Sequence, residues 1–273
     1  MDSSWEFVMS AMLSIYLIKN YKPLIYYLKF NYFCGSLTTI VTILIPYFML
    51  KPRNVLNFLV CCAGCKHISK VIGIKWTLRG AENLSKDRTC VFVANHQSSL
   101  DIQGMIDVWP VIKKMTAIAK RELLFAGPFG ISMFLAGLTF INRQAGEKAG
   151  QEMINMMEDL KKKNIKLWVF PEGTRRNTGE IHQFKKGAFY TAIQAQVPIV
   201  PVVFSSYKPF LDSEKKIFNK GEVIITALPE VSTKNLTVND VDDLIKQVRD
   251  SMISVYVKTS KEITTKMLKF KED

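Results

Sequence analysis

The chain has 273 residues, 48% of them hydrophobic, and a formal net charge of +13. Its length suits one core-forming domain with an appendage, and its charge favours an anionic partner: a phosphorylated substrate, an anionic membrane surface or nucleic acid. Nucleic acid is excluded as the leading class, because the sequence carries no zinc-finger spacing, basic-region heptad or glycine–aromatic RNA-binding signature.

Apolar residues concentrate in the first fifty positions. Residues 7–18 and 30–50 are free of charge, and the break between them, Lys19-Asn20-Tyr21-Lys22-Pro23, is basic and turn-like. The second stretch is about as long as a bilayer-crossing helix; the first is short for a span and suits an interfacial helix. The opening residues include Asp2 and Glu6 where a signal peptide would be basic, so a retained anchor is expected. The reading is therefore an N-terminal two-helix membrane anchor over residues 1–65, ahead of a catalytic domain over residues 66–273. The competing reading is a pair of buried core helices.

The five cysteines, Cys34, Cys61, Cys62, Cys65 and Cys90, are odd in number and clustered. They do not form a disulfide framework, which points to a reducing compartment. Cys62, Cys65 and His67 lack a second Cys/His pair at finger spacing, so they read as part of a helix and no metal is expected.

From residue 72 the texture changes. Strands are predicted at residues 74–79, 90–94, 115–119, 167–170, 199–204 and 223–227, with helical patterns between them. One helix is expected over residues 146–163, with Met153, Met156, Met157 and Leu160 as core positions. A lysine-rich amphipathic surface helix is expected over residues 238–270. Strands alternating with helices give an α/β fold, a largely parallel sheet flanked by helices.

Two strand ends carry chemistry. After the second strand comes Asn95-His96-Gln97-Ser98-Ser99-Leu100-Asp101. His96 lies just past the strand, where such folds place active sites, and Ser98 or Ser99 is positioned to cap the next helix. Asp101, in its first turn, can reach back to one imidazole nitrogen and leave the other free to take a proton. After the strand at 167–170 comes Pro171-Glu172-Gly173-Thr174-Arg175. Gly173 allows close backbone approach to a ligand, and Arg175 offers a planar fork for phosphate, with Arg176 as a neighbouring rival. Lys120 and Arg121 follow another strand and add cations. Val197-Pro198-Ile199-Val200-Pro201-Val202 reads as a wall strand, its prolines suited to a strand start or an edge.

In this order, the blocks resemble the glycerolipid acyltransferase family, and within it the 1-acyl-sn-glycerol-3-phosphate acyltransferases. Asn95 to Asp101 matches the family's His-x4-Asp motif; Ala119 to Leu124, Phe170 to Arg175 and Val197 to Val202 match the other three. Phe140-Ile141-Asn142-Arg143 and Phe184-Lys185-Lys186-Gly187-Ala188-Phe189 look like the family too. The resemblance implies acyl transfer from acyl-CoA to the sn-2 hydroxyl of lysophosphatidate, giving phosphatidate. His96 would be general base and Asp101 its orienter. Glu172, Gly173, Thr174 and Arg175 would form the phosphate loop, with Glu172 either binding there or organising it. Lys120 or Arg121 would bind phosphate or stabilise the oxyanion. No resident cofactor is implied. The partners would be acyl-CoA, lysophosphatidate and membrane lipid, at the endoplasmic reticulum with the catalytic domain facing the cytosol. Rival readings are acylation of glycerol-3-phosphate or another lysophospholipid, a hydrolase using the same dyad, and a non-catalytic lipid-binding membrane protein.

Overall fold

The computed structural model describes residues 3–142 and 147–272. Arg143 and Gly146, singled out above, lie outside the described residues. The chain runs α1 (Ser3–Ile43), α2 (Ile45–Leu50), α3 (Asn57–Ile72), β1 (Ile74–Arg79), α4 (Ala81–Ser85), β2 (Val91–Ala94), α5 (Asp101–Ile112), β3 (Met115–Lys120), α6 (Gly127–Leu135) and β4 (Thr139–Ile141). It continues through α7 (Glu147–Lys162), β5 (Lys166–Val169), α8 (Gly187–Ala195), β6 (Ile199–Phe204), a short hairpin of β7 (Leu211–Asp212) and β8 (Ile217–Phe218), β9 (Gly221–Ala227) and α9 (Val241–Glu272). A 3-10 turn, Arg121–Phe125, joins β3 to α6.

Seven strands form one sheet in the order β1-β9-β6-β2-β5-β3-β4. All neighbours pair in parallel except β6 with β9. The carboxyl ends of β6, β2, β5, β3 and β4 therefore lie along one edge, the edge at which open α/β sheets bind ligands. β2 is buried at every position, which is why its sequence reads as an unbroken apolar run. One face of the sheet packs against α3 and α5 through Phe92, Trp168 and Trp109. The other packs against α7, α8 and α9 through Val93, Phe189, Val248 and Met252.

Two expectations are corrected. The break at Lys19–Pro23 does not divide two helices: α1 is continuous through it, with Pro23 inside. The long apolar run is divided instead near Leu44, where α2 begins with Pro46 in its first turn. Among the described residues no helix is long and apolar enough to cross a membrane. Part of the apolar surface is used internally, since Phe33, Leu37, Val41 and Phe48 are buried in the same core as α3 and α5. Second, Pro201 stands in a central strand, not at a start or an edge. It is tolerated where the ladder thins: β9 pairs with Val202 to Phe204, and the chain beyond makes a single bridge, Ile199 to Val231.

In α3, Cys61, Cys62 and Cys65 face the core whereas His67 is exposed, so the thiols and the imidazole do not converge. All five cysteines are free. Ser69 on α3 accepts from Trp76 Nε1 at 2.9 Å and from Gln103 Nε2 at 3.0 Å, a polar tie that sets α3 and α5 against β1.

The approach of α5 to the sheet depends on Gly104. A Cβ there would stand 2.6 Å from a ring carbon of Phe204 and 2.8 Å from one of Trp76. Gly104→Ala is expected to lower unfolding stability by about 1–3 kcal/mol through overpacking, read as a lower thermal midpoint with α-helical content retained below it.

Candidate active site

His96 and Asp101 meet at the carboxyl end of β2. Asp101 is the first residue of α5 and wholly buried, and its Oδ2 lies 2.7 Å from His96 Nδ1. The same oxygen accepts the backbone N–H groups of Gln97 at 2.7 Å and Ser98 at 3.0 Å. A carboxylate so placed wraps the four-residue loop around itself and leaves His96 Nε2 as the open nitrogen. The expected serine cap is absent. Leu100 occupies the N-cap position, and Ser98 Oγ accepts from the Leu100 N–H at 3.3 Å.

The imidazole is held on a second side by Phe170, stacked with ring centroids 4.0 Å apart at 16°. From β5 the chain turns through Glu172, whose carboxylate is directed inward. Its Oε1 accepts the His96 N–H at 2.7 Å and its Oε2 the His182 N–H at 3.2 Å. Burial pushes this carboxyl above the ordinary glutamate value, against the two backbone donors that pull it down. The carboxylate of Glu172 thus holds the loops of His96 and His182 through their backbone. The Arg176 N–H returns a bond to the His96 carbonyl at 3.0 Å, so the two strand-end loops are stitched together from both sides.

Gly173 takes φ +70°, a left-handed conformation that favours glycine. Gly173, Thr174, Arg175, Lys120 and His96 all line one cavity of about 440 Å³. The rest of its wall is apolar, including Phe58, Met105, Phe129, Met133 and Leu138. Of the two cations after β3, Lys120 lines this cavity; Arg121 is exposed at the start of the 3-10 turn.

Sequence reasoning missed the scaffold inside the first motif. Asn95 exchanges two bonds with the Phe204 backbone, at 3.0 and 2.8 Å. Gln97 donates to the carbonyls of Phe204 and Ser205 and accepts from the Tyr207 N–H and the Tyr256 hydroxyl. These bonds tie β2 to the end of β6 and to α9. Tyr207, fully buried, is pushed well above the ordinary phenol range, first by burial and then by the charge of Asp101. It therefore stays protonated beside the carboxylate. The only available signal was the presence of two amide side chains flanking the histidine, residue types rarely buried without a partner.

The acyltransferase family profile matches residues 75–205. The chain is similar to human 1-acyl-sn-glycerol-3-phosphate acyltransferase alpha, 40% identical over 240 residues, covering 88% of this chain and 83% of that one. The human beta enzyme is 38% identical, covering 86% and 85%. The Saccharomyces cerevisiae 1-acyl-sn-glycerol-3-phosphate acyltransferase is 38% identical, covering 72% and 64%. Among solved structures, the 1-acyl-sn-glycerophosphate acyltransferase of Thermotoga maritima superposes with a TM-score of 0.69 at 22% identity, over 87% of this chain and 97% of that one, a likeness of fold.

Glu172→Gln tests the stitching. The amide keeps one acceptor and turns an N–H2 toward the other backbone N–H, leaving that donor unpaired. The variant is expected to lose about 1–3 kcal/mol of stability, with faster hydrogen exchange at the His96 and His182 amides than elsewhere in the sheet.

Proposed function

Because the chain belongs to the 1-acyl-sn-glycerol-3-phosphate acyltransferase family, we propose that it transfers a fatty acyl group from acyl-CoA to the sn-2 hydroxyl of lysophosphatidate, giving phosphatidate and CoA. The observation that carries the reading is the buried Asp101 at 2.7 Å from His96 Nδ1, at the mouth of an apolar cavity that also presents Lys120 and Arg175. With Nδ1 engaged, His96 Nε2 accepts the hydroxyl proton. The alkoxide oxygen attacks the thioester carbonyl, and the tetrahedral intermediate collapses with loss of the thiolate, which takes the proton back from the imidazolium. A thioester is already activated, so the chemistry needs neither a metal nor a resident cofactor.

The cavity's size and apolar lining suit an acyl chain, and Arg175 at its mouth suits the acceptor phosphate by fork geometry. Lys120 is the better placed of the two candidate cations to meet the phosphate or the developing oxyanion. We assign the work to the cytosolic face of the endoplasmic reticulum membrane, where five free thiols are chemically at ease. Support for lipid contact comes from exposed apolar side chains near the cavity. Met49 and Leu50 on α2 are 64% and 76% exposed, and Phe125 and Ile131 are 79% and 51% exposed. α2 packs on α6 and α6 on the 3-10 turn. Leu123 of that turn also lines the cavity, so lipid need not cross water to enter it.

The test is turnover in detergent micelles with oleoyl-CoA and lysophosphatidate, following CoA release and phosphatidate together. The wild-type protein should form phosphatidate only when acceptor is present. His96→Ala should lower kcat by about 10²–10⁴-fold. CoA release without phosphatidate would instead identify a hydrolase, and no turnover by folded protein would remove the enzymatic reading.

A further inference from the structure

A second pocket, of about 520 Å³, adjoins the apolar cavity and has the opposite chemistry. Thr174, Arg176, His182, Gln183 and Lys185 line it, with the inward-turned Glu172 at its back and Phe184 as its one apolar side chain. Thr174 lines both chambers, so the Glu172–Thr174 turn is the partition between them. Lys185 packs against that partition: its ammonium nitrogen lies 3.2 Å from where a Cβ on Gly173 would be.

The pocket's wall is braced from several directions. His182 Nε2 is 2.7 Å from Thr178 Oγ1, and Arg249 on α9 donates to the carbonyls of Ile181 and His182 at 2.7 and 3.0 Å. The Lys185 N–H donates to the Pro171 carbonyl at 2.9 Å. Its charges, by contrast, are unspent. Among the described residues Arg176 and Lys185 have no carboxylate partner, whereas the adjacent Lys186 is paired with Asp242 at 2.7 Å. Glu172 makes no ion pair with either, its two oxygens being turned to the backbone N–H groups of His96 and His182.

We infer that this polar pocket receives the phosphates of the CoA headgroup, with Arg176 and Lys185 as their counter-charges. The inference rests on the two-substrate reading above. That reaction brings two anionic molecules to one imidazole, where they repel each other unless each has its own cations. The apolar chamber supplies one set, Lys120 and Arg175. The polar chamber supplies the second, and its lining suits a headgroup in place of an acyl chain. The thioester would then lie over the Gly173–Thr174 partition, beside His96.

The experiment uses the full chain in detergent with Arg176→Ala, Lys185→Ala and the double variant. Michaelis constants are measured for oleoyl-CoA and lysophosphatidate separately, and binding of free CoA is measured by calorimetry. The double variant is expected to raise KM for oleoyl-CoA and Kd for CoA by at least about tenfold, with KM for lysophosphatidate within about twofold. The pair Arg176→Lys and Lys185→Arg should recover most of the CoA affinity, separating lost charge from lost folding. A rise confined to lysophosphatidate would overturn the assignment and give the pocket to the acceptor. Unchanged constants for both substrates would overturn it as well. Failure of the underlying reading has a different signature, a wild-type protein that neither binds CoA nor consumes acyl-CoA, and it would take the assignment with it.

Discussion

One oxygen of one buried carboxylate organises the reactive end of this molecule. Asp101 Oδ2 gathers the His96 imidazole and the backbone N–H groups of Gln97 and Ser98, all within 3.0 Å. A carboxylate taken wholly out of water is costly unless donors meet it, and here the donors, all on Oδ2, are the loop itself, while Oδ1 is buried without a partner. The loop can adopt few other shapes while Asp101 stays buried at the start of α5. Orientation of the His96 imidazole and folding of the loop are therefore the same event.

The sheet makes that event possible. Parallel pairing of β6, β2, β5, β3 and β4 delivers every strand-end loop to one edge, and the loops then hold one another. Glu172 from the β5 loop grips the His96 amide, and the Arg176 amide grips the His96 carbonyl. Asn95 and Gln97 reach the other way, to the backbone after β6, and Tyr256 brings α9 to the same glutamine. Cavity-lining groups such as Thr174, Arg175 and Lys120 are left exposed because backbone and buried acids, not they, carry the structural burden.

Much of this was legible in the sequence, for a physical reason. Buried parallel strands are continuous apolar runs, and each is followed by the polar residues that leave the core, so β2 and β5 with their motifs stood out. β4, three residues long, and the hairpin of β7 and β8, two residues each, carry too little periodicity to be read. The continuity of α1 through Pro23 was hidden because local turn chemistry argued for a break, and the helix overrides it by packing Phe33, Leu37 and Val41 into the core. The contact of His96 with Asp101 was visible, but its support was not: Phe170, Asn95, Gln97 and Tyr207 act through neighbours distant in sequence, which spacing along one chain cannot reveal. Glu172 shows the same limit, since only the fold decides whether a carboxylate beside a glycine turn faces outward or the backbone.

The claim on which the rest turns is that Asp101 holds the proton on His96 Nδ1 and leaves Nε2 free. With only three histidines in the chain, ¹⁵N-histidine labelling allows His96 to be assigned by comparison with His96→Ala and its tautomer read from two-bond ¹H–¹⁵N couplings. At a pH where the imidazole is neutral, the account predicts the Nδ1-protonated tautomer in the wild-type protein and its loss in Asp101→Ala. An Nε2-protonated His96 in the wild-type protein would contradict it, because the nitrogen facing substrate would then have no lone pair with which to accept a proton.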